Sequence, residues 1–251
     1  IPKMFFNPMR KNYRISNFDE KVEFLKKFNV NFIINKKFDK KFSKIKYFEF
    51  IKNILFKKIN PKFIFVSDNF KFGNKREGNV NSLMEFGKKF NNKVINPAPL
   101  RKKNILISSS LIRKLLIKSN LSLAKKYLKR NWSIQGTVQV GRKLGRKIGF
   151  PTCNIDIKDY IIPKLGVYKV KIKIANLNKI YDGIANLGLR PTFNQKKILL
   201  EVNIFNFSKN LYYKKLKVEF IKFIRGEKKF KNIDQLKKQI VIDIKNCKKK
   251  Y

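Results

Sequence analysis

Apolar residues in this chain follow two different rhythms, and the change from one to the other divides it. In the first half they recur at helical spacing between short continuous runs. Val22, Leu25 and Phe28 share one face of a helix over residues 19–28, which Asn17 or Asp19 would cap. The run NFIIN at 31–35 suits a buried strand. A second helical stretch covers 45–57, and an apolar strand follows Pro61 at 63–66. Residues 81–90 and 93–96 continue as helix and strand. Strands and helices alternating at this spacing predict a parallel sheet with crossover helices. From 108 the serines of ISSSLIRKLL cap a helix running to about 118, and a short helical piece follows at 121–129.

After about residue 130 the period falls to two. In GVYKVKIKI (166–174), Tyr168, Val170, Ile172 and Ile174 share one face, and Lys169, Lys171 and Lys173 the other. That is the pattern of a half-buried antiparallel strand. Similar runs at 132–140, 180–187, 198–205 and 215–225 are punctuated by Gly and Asn, so a small closed or nearly closed barrel is expected. A last helix over about 233–247 places Leu236, Ile240, Ile244 and Cys247 on one stripe. Asn232 with Gln235 resembles a capping box. The fold class is therefore α/β, then β-barrel plus one helix, without internal repeat.

Composition removes several alternatives. A hydrophobic share of 43% in 251 residues is too high for a disordered basic tail. No apolar run approaches the ~18 residues that cross a bilayer, no signal peptide opens the chain, and two Cys make no disulfide framework. No membrane partner and a cytoplasmic location are expected. A net charge of +45 would attract polyanions. Yet 51 of the 61 basic residues are Lys, spread over every segment, whereas an electrostatic footprint needs clustering, so no specific nucleic-acid partner is expected. With no His, a general base must be a carboxylate, Lys or Tyr. The residues carry no signal of oligomeric state.

Two segments carry candidate chemistry. In GRKLGRKIGFPTCN (141–154), Gly141, Gly145 and Gly149 alternate with Arg142, Lys143, Arg146 and Lys147. Glycines let backbone N–H groups approach a ligand, and basic side chains favour phosphate oxygens. Thr152 and Asn154, two residues apart in an extended stretch, lie on one side and suit a magnesium–nucleotide complex. An exposed basic hairpin is the equal alternative. In LLEVNIF (199–205), Glu201 and Asn203 face away from Leu200, Val202 and Ile204. Glu201 is either a solvent-facing carboxylate or the general base of a phosphoryl transfer.

GRKLGRKIGFPTCNI, GVYKV, GIANLGLRPTF, LEVNIF and FIRGEKKF occur in that order. Together they resemble the riboflavin kinase module of the prokaryotic bifunctional riboflavin kinase/FMN adenylyltransferases, also called FAD synthetases. The resemblance covers 127–251 and implies a six-stranded antiparallel barrel that passes the γ-phosphate of Mg-ATP to the ribityl 5′-hydroxyl of riboflavin. The Pro-Thr-x-Asn motif that handles metal and nucleotide falls on Thr152 and Asn154, and the catalytic glutamate on Glu201. Where that family often has His two positions later, Asn203 stands. Arg225 would meet flavin or phosphate, with a surface ion pair as the alternative.

Residues 1–120 resemble the adenylyltransferase module, a Rossmann-like nucleotidyltransferase domain that converts FMN and ATP to FAD. VSDNFKFGNKREGN (66–79) supplies Asn69, Phe70, Phe72 and Gly73 of one motif, with Ser67 in place of a glycine. ISSSLIR (107–113) resembles another, and implies that Ser109, Ser110 and Arg113 meet ATP phosphates at a helix N-terminus. Ordinary helix capping and a surface Arg would explain that string as well. FFNPMR (5–10) departs from the family at Asn7, Met9 and Arg10, and the His-x-Gly-His signature, with the first strand that bears it, is missing. Because the chain also opens with Ile, it is expected to be part of a longer protein, the signature lying upstream. The rivals are a kinase-only remnant with a degenerate first domain, and a basic nucleic-acid-binding protein.

Overall fold

The computed structural model describes residues 2–249 apart from Pro8, Arg10, Arg142 and 192–195. Two compact units form, one from Ile1–Arg10 with Ile34–Ser108, the other from Lys11–Ile33 with Ser109–Tyr251.

In the first unit, strands β1 (Phe63–Phe65) and β2 (Lys93–Ile95) pair in parallel, as the alternating pattern requires. The helix Val80–Lys89 links them, its N-terminus capped by Asn79, whose Oδ1 accepts the Ser82 N–H. Helical chain also runs from Tyr47 to Ile59, wound as α over Tyr47–Glu49 and as π over Phe50–Ile59. Ile51, Phe56, Phe72 and Leu83 form the core. A small hairpin, β3 (Arg101–Lys102) with β4 (Ile105–Leu106), follows. The strand expected at 31–35 does not form: residues 30–39 are irregular, and Phe32 and Ile34 are 89% and 76% exposed. A strand needs a hydrogen-bonded neighbour, and β1 pairs only with β2 among the described residues.

The second unit is built on the expected barrel. Its strands are β5 (Ser133–Gln139), β6 (Cys153–Asp156), β7 (Gly166–Ile174), β8 (Ile180–Pro191), β9 (Lys196–Ile204) and β10 (Lys215–Gly226). They close in the order β10-β5-β6-β9-β8-β7 with every pairing antiparallel. Closure leaves no unpaired edge. Alternation sends Tyr168, Val170, Ile172, Leu187, Leu200, Val202, Leu216 and Val218 inward, all at 0% exposure. Burying each such aliphatic side chain contributes about 2 kcal/mol relative to leaving it in water. The helices Ser109–Ile117 and Leu121–Leu128 add Ile112, Leu115, Leu116, Leu121 and Ala124 to the same core. A smaller apolar layer of Val167, Ile184 and Cys247, with Ile244 against it, sits beneath the C-terminal helix Ile233–Lys248.

Helix ends refine the sequence reading. Asn17 caps the helix Phe18–Lys26 in a complete capping box with Glu20. At the C-terminal helix Asn232 does accept the Gln235 N–H at 3.0 Å, but the Gln235 carbonyl turns to the Lys231 N–H instead of closing the box.

Segment 11–33 straps the barrel. Its Arg14 exchanges backbone hydrogen bonds with Asp159 and Ile161, both 2.8 Å, and the Ile15 carbonyl accepts the Trp132 indole N–H at 2.8 Å. Glu20 is wholly buried and accepts the hydroxyls of Ser133 and Tyr160, each at 2.5 Å.

Candidate active site

Register explains where the chemistry falls. Across the barrel wall Gln139 stands opposite Asn154, Asn154 opposite Glu201, Glu201 opposite Asn186, Asn186 opposite Val167, and Val167 opposite Arg225. Directly opposed residues share a face, with Cβ atoms ~5 Å apart. Since Leu200 and Val202 point into the core, this row lines the outside of the wall. The Glu201 carboxylate is therefore flanked by two carboxamides.

A cavity of about 480 Å³ opens over the row. The loop after β5 forms one side, and the stretch after β10 with the C-terminal helix forms the other. Of the residues singled out from sequence, Gly141, Gly145, Thr152, Asn154, Glu201 and Arg225 all line it, as do Lys143 and Arg146. Gly149 does not; its φ of +89° makes it the left-handed turn that returns the chain to Phe150. Arg142 lies outside the described residues, as do Thr192 and Phe193 of the GIANLGLRPTF string and Pro8 and Arg10 of FFNPMR.

Two glycines let the loop close on residues 151–154. A Cβ at Gly141 would stand 1.7 Å from Asn154 Nδ2, and one at Gly145 2.4 Å from the Phe150 carbonyl and 3.2 Å from Thr152 Oγ1. The glycines thus bring backbone against the two side chains proposed to meet metal and phosphate. Asn154 is 7% exposed, and its buried Oδ1 has no hydrogen-bond partner. An orphaned buried carbonyl oxygen is costly unless something binds it. Among the described residues no donor or cation is paired with the Glu201 carboxylate, which leaves it open to the cavity. Beside it, burial pushes the Cys153 thiol up to about 11, so that side chain is protonated and inert at neutral pH.

Arg225 proves more committed than its sequence suggested. Nε and Nη2 form a fork on Asp243 of the C-terminal helix, at 3.0 and 2.7 Å, and Asp243 is 2% exposed. This is a buried, bidentate ion pair in place of the surface pair considered above, and it fastens the helix over the cavity. Gln239 Nε2 donates to the same carboxylate at 2.9 Å.

Sequence reasoning missed Asn186, Asp243, Phe230, Leu236 and Ile240 as cavity residues. For Asn186 the signal was present: in GIANLG an amide replaces an aliphatic at an alternating position. Its pairing with Glu201, however, depends on register. Leu236, Ile240 and Asp243 come to the cavity only through docking of the helix, and Phe230 on the stretch that leads into it.

The adenylyltransferase candidates are placed separately. In the first unit Asn69 is exposed at a turn, its Oδ1 accepting from the Ser67 hydroxyl at 3.0 Å. Phe72 of the same motif is instead core. In the second unit Ser109 and Ser110 begin a nine-residue helix and are exposed. Arg113 of that helix donates Nε to the Tyr13 carbonyl at 2.9 Å and stacks on the Tyr13 ring at 3.7 Å.

Among the described residues no three Cys, Asp or Glu side chains gather to hold a metal, and no helix is long and apolar enough to cross a membrane.

Comparison with known proteins finds two family models along the chain. A family model described as riboflavin kinase matches residues 128–251, and one described as FAD synthetase matches residues 1–111. The bifunctional riboflavin kinase/FMN adenylyltransferase of Buchnera aphidicola subsp. Schizaphis graminum is 42% identical over 100% of this chain and 81% of its own length. That of Haemophilus influenzae is 38% identical over 98% of this chain and 80% of its own. A crystal structure titled as a macrolide-efflux protein from Streptococcus pneumoniae superposes with a TM-score of 0.79 at 28% identity, covering 94% of this chain and 76% of that one.

Proposed function

Because this chain belongs to the bacterial bifunctional riboflavin kinase/FMN adenylyltransferase family, we propose that the barrel cavity is its kinase site, with Glu201 as general base and Thr152 and Asn154 as the metal and phosphate holders. The protein is an enzyme of FAD biosynthesis, phosphorylating riboflavin to FMN and adenylylating FMN to FAD. One observation supports the site most strongly: an open carboxylate and an orphaned buried amide oxygen stand side by side on adjacent strands, in one cavity.

The donor set suits magnesium, a hard cation that takes oxygen ligands and leaves much of its shell to substrate phosphates. Asn154 Oδ1 and Thr152 Oγ1 would hold it, and when bound with ATP it supplies neutralisation of the triphosphate charge. Lys143 and Arg146, on the loop folded over the cavity, offer further positive charge to phosphate oxygens. Phe230, Leu236 and Ile240 give an apolar wall suited to a flat aromatic ring system such as riboflavin's. With the ring there and the ribityl chain reaching the Asn154–Glu201–Asn186 row, Glu201 takes the 5′-hydroxyl proton as that oxygen attacks the γ-phosphorus. The bond from γ-phosphorus to the β–γ bridging oxygen breaks and ADP leaves. Positioning and electrostatics supply most of such a rate enhancement, and the base adds the remainder.

For adenylylation, Asn69, Ser109, Ser110 and Arg113 remain the proposed nucleotide and flavin contacts. The helix beginning at Ser109 turns the positive end of its dipole towards its N-terminus, which favours anions. ATP as co-substrate and two free cysteines fit the cytoplasm.

Glu201→Gln tests the base. It is isosteric and cannot accept the proton, so FMN formation from riboflavin and Mg-ATP should fall by about 10²–10⁴-fold with the melting temperature unchanged. A folded variant that turns over at the native rate removes the role.

A further inference from the structure

Asn203 has no part in the chemistry above, yet it makes a defined contact at the site. The β6–β9 ladder ends at Cys153 opposite Val202, so among the described residues no ladder pair joins Pro151 and Thr152 to β9. There the Asn203 side chain takes over, Nδ2 donating to the Pro151 carbonyl at 2.7 Å. Asn203 lies two residues from Glu201 on the same strand and face, and both line the cavity. On its other side its backbone is fixed against Ile184 of β8. Pro151 has no N–H to offer, so its carbonyl is the natural handle for a tether at this point. The residue before Pro151 is held as well, because the Phe150 N–H donates to the Gly145 carbonyl at 2.8 Å.

We propose that Asn203 is a positioning residue: its carboxamide ties Pro151, and with it Thr152, to the strand bearing Glu201, and so sets the distance between the bound triphosphate and the base. This rests on the kinase-site reading above. A tether here must donate a proton to a carbonyl and must not add a negative charge beside the phosphates. An amide meets both conditions and keeps its donor at every working pH. A carboxylate of the same shape meets neither, whereas an imidazole ring retains a donor.

The experiment compares Asn203→Asp, Asn203→Ala and Asn203→His in the full chain, measuring total FMN plus FAD formed from riboflavin. Losing one geometric constraint worth a single hydrogen bond is expected to raise the KM for Mg-ATP about tenfold in Asn203→Ala. It should also lower kcat, while the KM for riboflavin stays within about twofold. Asn203→Asp should be worse than Asn203→Ala because its carboxylate repels both carbonyl and triphosphate, and Asn203→His should recover most of the loss. Native kinetics in Asn203→Ala overturn the proposal. So does a loss shared equally by both substrates that tracks a fall in melting temperature and is not rescued by His. Glu201→Gln in the same assay separates the two readings, since an active Glu201→Gln removes the base while leaving the Mg-ATP effect of Asn203→Ala to be judged by itself.

Discussion

At Gly141 a single methyl group decides the geometry of the site. Its Cβ would stand 1.7 Å from Asn154 Nδ2, far inside contact distance, so an alanine must displace either the loop or the amide. Asn154 has little room to move, being 7% exposed with strands on both sides. We expect Gly141→Ala to weaken Mg-ATP use about tenfold or more in KM, a shift of ~1.4 kcal/mol, with riboflavin affinity retained. The measurement is steady-state kinetics at fixed saturating riboflavin. An unchanged KM for Mg-ATP would mean that the loop does not press on the nucleotide side of the cavity. At this scale residue type and spacing marked Gly141, Thr152, Asn154 and Glu201 as candidates, from one string and one alternating strand, and the four line one cavity; the roles proposed for them came from the resemblance and not from the spacing. The sequence was not legible where a partner distant in sequence decides the role. For Arg225 ligand contact and a surface ion pair were both open, and Asp243, 18 residues on, holds it in a pair.

Among the elements, segment 11–33 departs furthest from what the pattern along the chain suggested. Its helix was visible from Val22, Leu25 and Phe28, but nothing local indicates that it packs on a barrel beginning more than a hundred residues later. The pairing is encoded in a buried polar contact. Glu20 is at 0% exposure and serves as acceptor for Ser133, Tyr160 and the Asn17 N–H. Burial, with Glu20 alongside, raises the Tyr160 hydroxyl well above its ordinary value, so it stays a donor. Replacing Glu20 with Ala strands two buried hydroxyls and leaves a cavity, which should cost about 3 kcal/mol. For a unit of this size that corresponds to a fall of the order of 10 °C in melting temperature. The single tryptophan reports on it directly, since Trp132 is 1% exposed and bonded to the Ile15 carbonyl of the strap. A Glu20→Ala melt by Trp132 fluorescence within about 2 °C of the native one would show the strap to be incidental. The opposite failure of local reading is 31–35, where a run apolar enough for a strand stays exposed and irregular because no strand lies beside it. The barrel strands were easier, since period-two alternation against a closed core is unambiguous.

For the whole molecule, charge and buried acids pull stability in opposite directions as pH rises. A net charge of +45 makes the compact state repel itself at neutral pH. As the solution becomes alkaline that positive charge falls, which relieves the repulsion and favours folding. Against this stand four groups whose burial raises their pKa, the Cys153 and Cys247 thiols to about 11 from 9.0, the Tyr168 hydroxyl to about 12 from 10.0 and the Tyr160 hydroxyl further still. In the unfolded chain they release protons first, so between pH 9 and 12 the native state binds more protons than the unfolded one. The stability they confer is full below pH 9 and is lost as pH climbs through the folded values. Salt separates the two effects. At 0.5 M the Debye length is only ~4 Å, the repulsion is already screened, and losing positive charge relieves little. The unfolding midpoint followed by Trp132 should then fall steadily from pH 9 to 11. At 10 mM, where screening reaches ~30 Å, the same series should start lower at pH 7 and decline less, because relief of repulsion offsets the buried groups. If stability at 0.5 M salt instead rises over that interval, the burial of these four groups does not govern the alkaline limb and surface charge does.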